Sequence, residues 1–357
     1  MDIINYSCPN CGGKLVFNPE KQLFACEWCF SDFTQENINE IFGSGTTPVE
    51  PINDGTANAD DQQSFENGTD LYICDSCGAE IIAESNTAAS FCYYCHSPVA
   101  LKGRLSGKYC PQKVIPFKKS KDQAIEGFKE WCGKKWFLPS GFTSEATLEK
   151  ITGLYVPFWL ADCKVDAHLS AEGKIIHRHN RGSTTVVKTQ HFAVERDVSM
   201  NYVGVPADGS KKLDDSLMDS IEPFDYNDLT DFSMSYLQGF YADKYDVEKN
   251  DVLPRIKQRI TDGAVQMMLD DVKGYTTVTP LVQNVNIIKT DWHYMLLPVW
   301  FLSYDYRGKK YFYAMNGQTG KFSGIMPLSP GKVAVAAVIA AIVFGIGGLL
   351  LGGAMYV

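Results

Sequence analysis

Eight of the eleven cysteines stand in four Cys-x-x-Cys pairs, and the pairs are themselves paired. Cys8 and Cys11 are followed after fourteen residues by Cys26 and Cys29; Cys74 and Cys77 are followed, again after fourteen, by Cys92 and Cys95. The second set is the first displaced by 66 positions, and Tyr6/Tyr72, Gly12/Gly78 and Ser31/Ser97 coincide as well, so this is an internal repeat. Two residues between cysteines let the backbone turn until both thiolates face one ion. Glycine just after the second cysteine, as at Gly12 and Gly78, suits the tight dihedrals of such a knuckle. Two knuckles at the ends of a short hairpin make a closed four-sulfur tetrahedron, the arrangement of a structural Zn²⁺ site, with no position left open for catalysis. Iron of the rubredoxin kind is the chemical alternative for the same ligand set. A secreted disulfide framework would need a leader, and Met1-Asp2-Ile3 does not begin one. A thioredoxin-like redox motif needs one such pair, not four in register. Cys110, Cys132 and Cys163 share no spacing and read as ordinary buried thiols, and His96 reads as a knuckle or surface residue beside a complete ligand set.

The elements that must carry these ligands differ in composition. Of the 357 residues, 1–101 hold fifteen acidic and two basic residues, whereas 102–357 hold 27 acidic and 31 basic ones. The expected division is a first ribbon at 1–33, an acidic flexible linker at 34–69, a second ribbon at 70–101, a cytosolic α+β domain at 102–330 and a transmembrane helix at 333–356. From Gln22 to Ala100 there is no lysine or arginine. Phosphate binding draws on those residues, and each four-thiolate Zn²⁺ site adds about two further negative charges, so the ribbons read as protein-interaction heads, not nucleic-acid readers.

The last 25 residues, Val333 to Val357, carry no charge. As a helix they span ~37 Å, enough to cross a hydrocarbon core of ~30 Å once. Arg307, Lys309, Lys310, Lys321 and Lys332 precede the segment and nothing charged follows, which places the body in the cytoplasm. A reducing cytoplasm also suits eight metal-binding thiols. Gly348 and Gly352 form a Gly-x-x-x-Gly pair on a small-residue face suited to helix association.

Between ribbons and tail, Ser120–Trp131 and Glu248–Val272 have helical periodicity, the latter through Leu253, Ile256, Ile260, Met267, Met268 and Val272. Strands are expected from Leu154, over Lys174–His179, Thr184–Glu195, Thr277–Ile288, Leu296–Tyr306 and Lys310–Ala314, with a turn at Asn316–Gly320. Tyr155-Val-Pro-Phe-Trp-Leu and Leu296-Leu-Pro-Val-Trp-Phe echo one another, and Pro157 and Pro298 are expected at strand starts or edges. There is no phosphate loop, no His-Glu-x-x-His and no Gly-x-Ser-x-Gly. His177 and His179 share a strand face without further ligands nearby; His168, His191 and His293 are isolated; Asp225, Asp228 and Asp231 read as caps. No catalytic residue, small-molecule substrate or organic cofactor emerges.

Two four-cysteine ribbons followed by Tyr-Val-Pro-Phe-Trp-Leu, Glu222-Pro-Phe-Asp-Tyr-Asn-Asp-Leu, Gly239-Phe-Tyr-Ala-Asp, Leu-Pro-Val-Trp-Phe and Asn-Gly-Gln-Thr-Gly-Lys before an apolar end resemble a bacterial family: the membrane-anchored, TFIIB-type double zinc-ribbon proteins of Firmicutes. The resemblance covers essentially the whole chain. Members are often labelled as replication-restart helicases or RNA polymerase subunits because of the ribbons alone, and the nucleotide-binding motifs such labels require are missing from this sequence. The resemblance implies zinc on all eight ligand positions and a non-enzymatic membrane role, with a second membrane protein as partner in a cell-envelope stress complex. The sequence therefore reads as an anchored adaptor that brings a cytosolic protein to the bilayer. Nucleic-acid binding through the ribbons is the alternative.

Overall fold

The computed structural model describes residues 7–42, 62–63, 65–66, 69–74, 76–84, 91–97, 100–104 and 109–354, with side chains left aside at 84, 100–104 and 346–354. Most of the expected linker, including 43–61, lies outside the described residues. The first cysteine unit comprises β1 (Leu15–Asn18), β2 (Leu23–Cys26) and β3 (Asp32–Phe33), an antiparallel sheet of their own, followed by α1 (Gln35–Phe42). The second comprises β4 (Thr69–Ile73), β5 (Glu80–Glu84) and β6 (Ala100–Arg104). The body continues with β7 (Lys113–Val114), α2 (Lys121–Gly133), α3 (Glu145–Leu148), β8 (Thr152–Arg181), β9 (Thr184–Asp208), α4 (Asp215–Ile221), β10 (Thr230–Asp231), β11 (Tyr241–Asp243), α5 (Lys249–Asp271), β12 (Thr277–Tyr306), β13 (Lys309–Asn316), β14 (Phe322–Gly324) and α6 (Pro330–Ala354).

The expected short strands fuse. β8 and β12 are each 30 residues long and pair antiparallel from Thr152↔Phe301 to Lys174↔Thr277. The echoing motifs lie side by side, with Pro157 opposite Leu296 and Pro298 opposite Tyr155. Both prolines are inside their strands, which corrects the expectation of strand starts. They are tolerated because each falls where the neighbour on its outer edge changes. β11 pairs β8 at Leu154 and Tyr155 and β9 takes over at Phe158; β7 pairs β12 at Met295 and Leu296 and β13 takes over at Val299. At such a gap a missing N–H costs no ladder bond.

Near this crossing both faces of the sheet are buried. One face gathers Tyr155 and Trp159 with Phe128 of α2, Ile256 of α5 and the first unit's Leu15, Phe17 and Phe24. The other gathers Leu154, Val156 and Phe158 with Met218 of α4 and the second unit's Ile81, Tyr93 and Tyr94. The second unit is part of the main sheet, its β5 pairing β11, and the first packs Leu15, Phe17 and Phe24 into the core of the body. Phe65, inside the expected linker, is buried with its ring 5.9 Å from that of Phe232.

Ser120 caps α2 reciprocally with Gln123. The buried stripe of α5 is Val252, Ile256, Ile260, Ala264 and Met268; Leu253 and Met267, expected in it, are exposed, because an i, i+4 row over the sheet lies one residue off the hydrophobic count. α5 is pinned by arginines. Arg255 donates to Asp208 (2.7 Å) and to Asp219, and Arg259 pairs with Glu222 at 3.0 Å. The family-like motifs prove to be mutual supports: Asn316 Nδ2 donates to the carbonyls of Ile221 (3.0 Å) and Pro223 (3.2 Å), and Gln318 Nε2 to that of Asp225 (2.9 Å). Asp225 caps a 3₁₀ turn as expected, while Asp228 and Asp231 pair with Lys118 and Lys113.

Among the described residues no helix is long and apolar enough to cross a membrane. The described side chains of α6 end at 345, so the expected span of 333–356 falls partly outside them. Those that are described, including Val335, Val338, Ile339, Ile342 and Phe344, are exposed, so this helix is no part of the core.

Asp208 tests the arginine anchorage. Burial pushes its carboxyl up, and Arg255 opposes that shift. Arg255→Ala leaves the carboxylate buried without its cation, and urea unfolding is expected to show a loss of about 3 kcal/mol or more.

Candidate metal centres

Each cysteine set closes on itself. The four Sγ atoms of Cys8, Cys11, Cys26 and Cys29 lie within 4.8 Å of one another, as do those of Cys74, Cys77, Cys92 and Cys95. Cys8–Cys29 and Cys11–Cys26 are both 3.5 Å apart, and Cys74–Cys95 and Cys77–Cys92 are 3.4 and 3.6 Å apart. A disulfide holds its sulfurs at ~2.0 Å. A tetrahedron with metal–sulfur bonds of ~2.3 Å spaces them at about 3.8 Å, so the donors fit one metal ion in each set.

The knuckles explain the residues repeated between the sets. In each, the first cysteine's carbonyl accepts from the amide four residues on: Gly12 to Cys8 (2.8 Å), Phe30 to Cys26 (3.0 Å), Gly78 to Cys74 (2.7 Å) and His96 to Cys92 (2.7 Å). Those four donors all have left-handed φ, of 76°, 58°, 70° and 60°. Glycine takes this conformation without cost, which made Gly12 and Gly78 legible in sequence; Phe30 and His96 carry the same turn with a side chain. Ser31 and Ser97 are repeated because their hydroxyls and amides serve the last sulfur of each set. Ser31 holds the Cys29 thiol at about 6. Burial pushes the Cys95 thiol up, yet Ser97 outweighs it and holds it at about 6 as well. At Cys11 the Gly13 amide works downward, but the sulfurs of Cys29 and Cys26 outweigh it and carry the thiol to about 12. Four adjacent thiolates repel, and a divalent cation among them removes that conflict.

The centres differ in what surrounds them. Cys8 and Cys26 are buried, as are Cys74 and Cys92, but Cys11 and Cys29 are exposed whereas Cys77 and Cys95 are half-buried. The second centre is clasped to the body through the two residues between its last ligands. Tyr93 and Tyr94 donate their hydroxyls to the Asp243 carboxylate at 2.7 and 2.5 Å, and Ser210 adds a third donor at 2.9 Å. His96 Nε2 lies 2.9 Å from the Ser303 hydroxyl, and Lys212 Nζ donates to the Cys77 carbonyl at 2.6 Å. Asp243 is fully enclosed, and burial raises its carboxyl from 3.8 to about 6 against the pull of the three donors. Sequence reasoning passed over this clasp, although Asp243 ends the quoted Gly239-Phe-Tyr-Ala-Asp. A lone aspartate after an aromatic run does not reveal that it meets residues some 150 positions away.

The remaining residues singled out earlier fall elsewhere. Cys110, Cys132 and Cys163 are buried and separate from both centres. His177 and His179 do share one face of β8, near its far end, opposite Lys188 and Val186. His168, His191 and His293 each face a carboxylate, of Asp197, Glu172 and Asp162 respectively.

Fold and site thus define a mixed α+β protein with two four-cysteine clusters at its N-terminal end, each compatible with one metal ion. The chain is 37% identical over 332 residues to the uncharacterized protein YdjG of Bacillus subtilis (strain 168), covering 93% of this chain and 92% of that one, and it belongs to the same family. No family model matches the sequence, and no solved structure matches it.

Two outcomes test the centres. Metal-loaded protein challenged with a chromogenic chelator should release one equivalent quickly and one slowly, and Cys29→Ser should abolish the fast phase alone. Replacing Tyr93 and Tyr94 together by Phe should cost about 3 kcal/mol in urea unfolding, from two lost donors to a buried carboxylate. The sign with pH follows from Asp243: an acid raised in the fold stabilises it fully only below its ordinary value of 3.8 and loses that contribution as pH rises through about 6. Without the tyrosines the ionised form fares worse still, so the deficit should be larger at pH 8 than at pH 6.

Proposed function

We propose that the protein is a non-enzymatic, membrane-anchored adaptor. Its two structural Zn²⁺ ribbons present a docking head, and α6 with the apolar residues beyond it holds the chain to the bilayer as a single-pass C-terminal anchor. The head recruits a cytosolic protein to the cell membrane, beside another membrane protein, in a cell-envelope stress complex of the kind the family resemblance implies.

One comparison within the chain carries this reading. Under the 66-residue repeat, Glu27, Trp28 and Phe30 occupy the positions of Tyr93, Tyr94 and His96. In the second ribbon those positions hold the body. In the first they face outward: Trp28 is 78% exposed and Phe30 83% exposed, on either side of Cys29. Adjacent exposed aromatics on a rigid knuckle are the composition of a protein-docking hot spot. Zinc suits this role, because four thiolates in a closed tetrahedron hold the knuckle without offering a reactive position. The anchor reading is supported by the exposed apolar faces of α6 and the uncharged run to Val357. The lysines and arginines before that run favour a cytoplasmic body.

The test is co-purification of the full-length protein from its native membrane. Trp28→Ala with Phe30→Ala should remove a stoichiometric protein partner while two zinc ions per chain are retained. Loss of the chain from the carbonate-resistant membrane fraction on deletion of 333–357 tests the anchor separately. Nuclease-sensitive absorbance without a protein partner would favour the nucleic-acid reading instead.

A further inference from the structure

Beyond the end of β12, β8 and β9 continue alone as a two-stranded hairpin, paired from Ile175↔Gln190 to Arg181↔Thr184 and closed by Gly182 at φ 61°. Residues 173–194 hold Lys174, Arg178, Arg181 and Lys188 and no acidic residue, in a protein of net charge −9. Arg178, Arg181 and Lys188 have no carboxylate within ion-pairing distance among the described residues, whereas Lys174 is paired with Glu172. The ribbon is two-sided: Arg181, Lys188 and Val186 share one face with His177 and His179, and Arg178 and Val187 share the other. Val186 and Val187 are 49% and 54% exposed.

We propose that the occupant is a second copy of this chain, and that the cationic hairpin of one molecule docks on the first-ribbon head of the next. The proposal rests on the reading of Trp28 and Phe30 as a docking face and names an occupant for it. Complementarity is present on both sides. Over residues 7–42 the head carries five carboxylates against Lys14 and Lys21, and a divalent ion with four thiolates adds about two more negative charges. The exposed Trp28 and Phe30 offer apolar area to Val186, on the hairpin face that also carries Arg181 and Lys188.

Intramolecular docking is out of reach. The first ribbon packs at the opposite end of β8, where Val16 approaches Gly239 and Gln22 donates to the Phe117 carbonyl. From Leu154 at that end to Arg181 at the tip, β8 covers roughly 80–90 Å at ~3.3 Å per residue. That is many times the ~8 Å Debye length of physiological salt, so the tip is electrostatically independent of its own head. The contact joins two different patches and is heterologous, so it propagates head to tail into rings or open chains. Self-association and recruitment of another protein would compete for one face.

Sedimentation of the full-length, zinc-loaded protein in neutral detergent tests this. Wild type should associate at 50 mM salt and weaken at least tenfold by 500 mM. Arg178→Glu, Arg181→Glu and Lys188→Glu together should leave a monomer, and so should Glu27→Lys with Trp28→Ala, each keeping its far-ultraviolet spectrum and two metal ions. Mixed, these two variants retain one intact hairpin and one intact head between them, and should form a complex that stops at two chains. A mixture that stays monomeric, or wild type monomeric at tens of micromolar, overturns the proposal. So does a monomeric wild type whose hairpin instead binds a 20-base-pair duplex or phosphatidylglycerol vesicles, with that binding lost in the hairpin variant. If a different protein is lost from the membrane preparation on Trp28→Ala while self-association is absent, the adaptor reading stands and this inference alone fails.

Discussion

The ladder between β8 and β12 is the constraint on which the rest of this structure depends. Two 30-residue strands held in antiparallel register set a single axis, and every other element is placed by where it meets that axis. Near the prolines both faces are buried and all the layers converge. Further out, among the described residues, α5 covers one face over Ala167, Leu169 and Ala171, and beyond that nothing described packs on the hairpin. A period-2 sheet cannot slip by one residue without exchanging its faces, so register along the buried half determines the presentation of the exposed half. A register shift between Ala161 and Cys163 in the β8–β9 ladder, and one between Ile287 and Lys289 in the β8–β12 ladder, fall where the burial of β8 changes from two faces to one.

How much of this was legible in sequence depends on the range over which each signal acts. The two four-cysteine clusters were legible, because a Cys-x-x-Cys knuckle is local chemistry and the repeat doubles the signal. Helix α2 was legible from its apolar periodicity, also a local signal, and the structure adds the reciprocal cap of Ser120 and Gln123. The long strands were read as fragments because the stretches at 170–173 and 289–295 broke the alternation, whereas both pair through in the β8–β12 ladder. Proline inside a strand is tolerated where its missing N–H leaves no ladder bond unmade. At Pro157 and Pro298 the neighbouring strands supply the gap, a fact of tertiary arrangement that periodicity does not carry. The same limit applies to Phe65 in the expected linker, whose burial beside Phe232 is a contact that the acidic, polar composition around it does not signal.

Asp243 shows why the second ribbon could not be placed from composition. A carboxylate in the interior is unfavourable unless donors surround it, and here two of the three donors belong to a metal knuckle. Folding of the ribbon and solvation of that carboxylate are therefore one event. A metal that orders Cys92 and Cys95 also orders the tyrosines between them, which makes the second centre a structural part of the body.

The two centres have the same ligands, the same knuckle bonds and the same serine behind the last sulfur, yet opposite surroundings. What separates them is the identity of three residues. Tyr93, Tyr94 and His96 end in polar groups that the body satisfies, and they are drawn inward; Trp28 and Phe30 offer mainly apolar area and Glu27 a charge, and they remain outside. A metal site that only stiffened the fold would have no reason to keep large aromatics in water, where their exposure costs roughly 25 cal/mol per Å² of apolar surface. The cost is sensible if that surface is covered for part of the protein's working life. The duplication thus yields one ribbon whose aromatic knuckle positions are packed against its own chain and one whose equivalent positions are exposed.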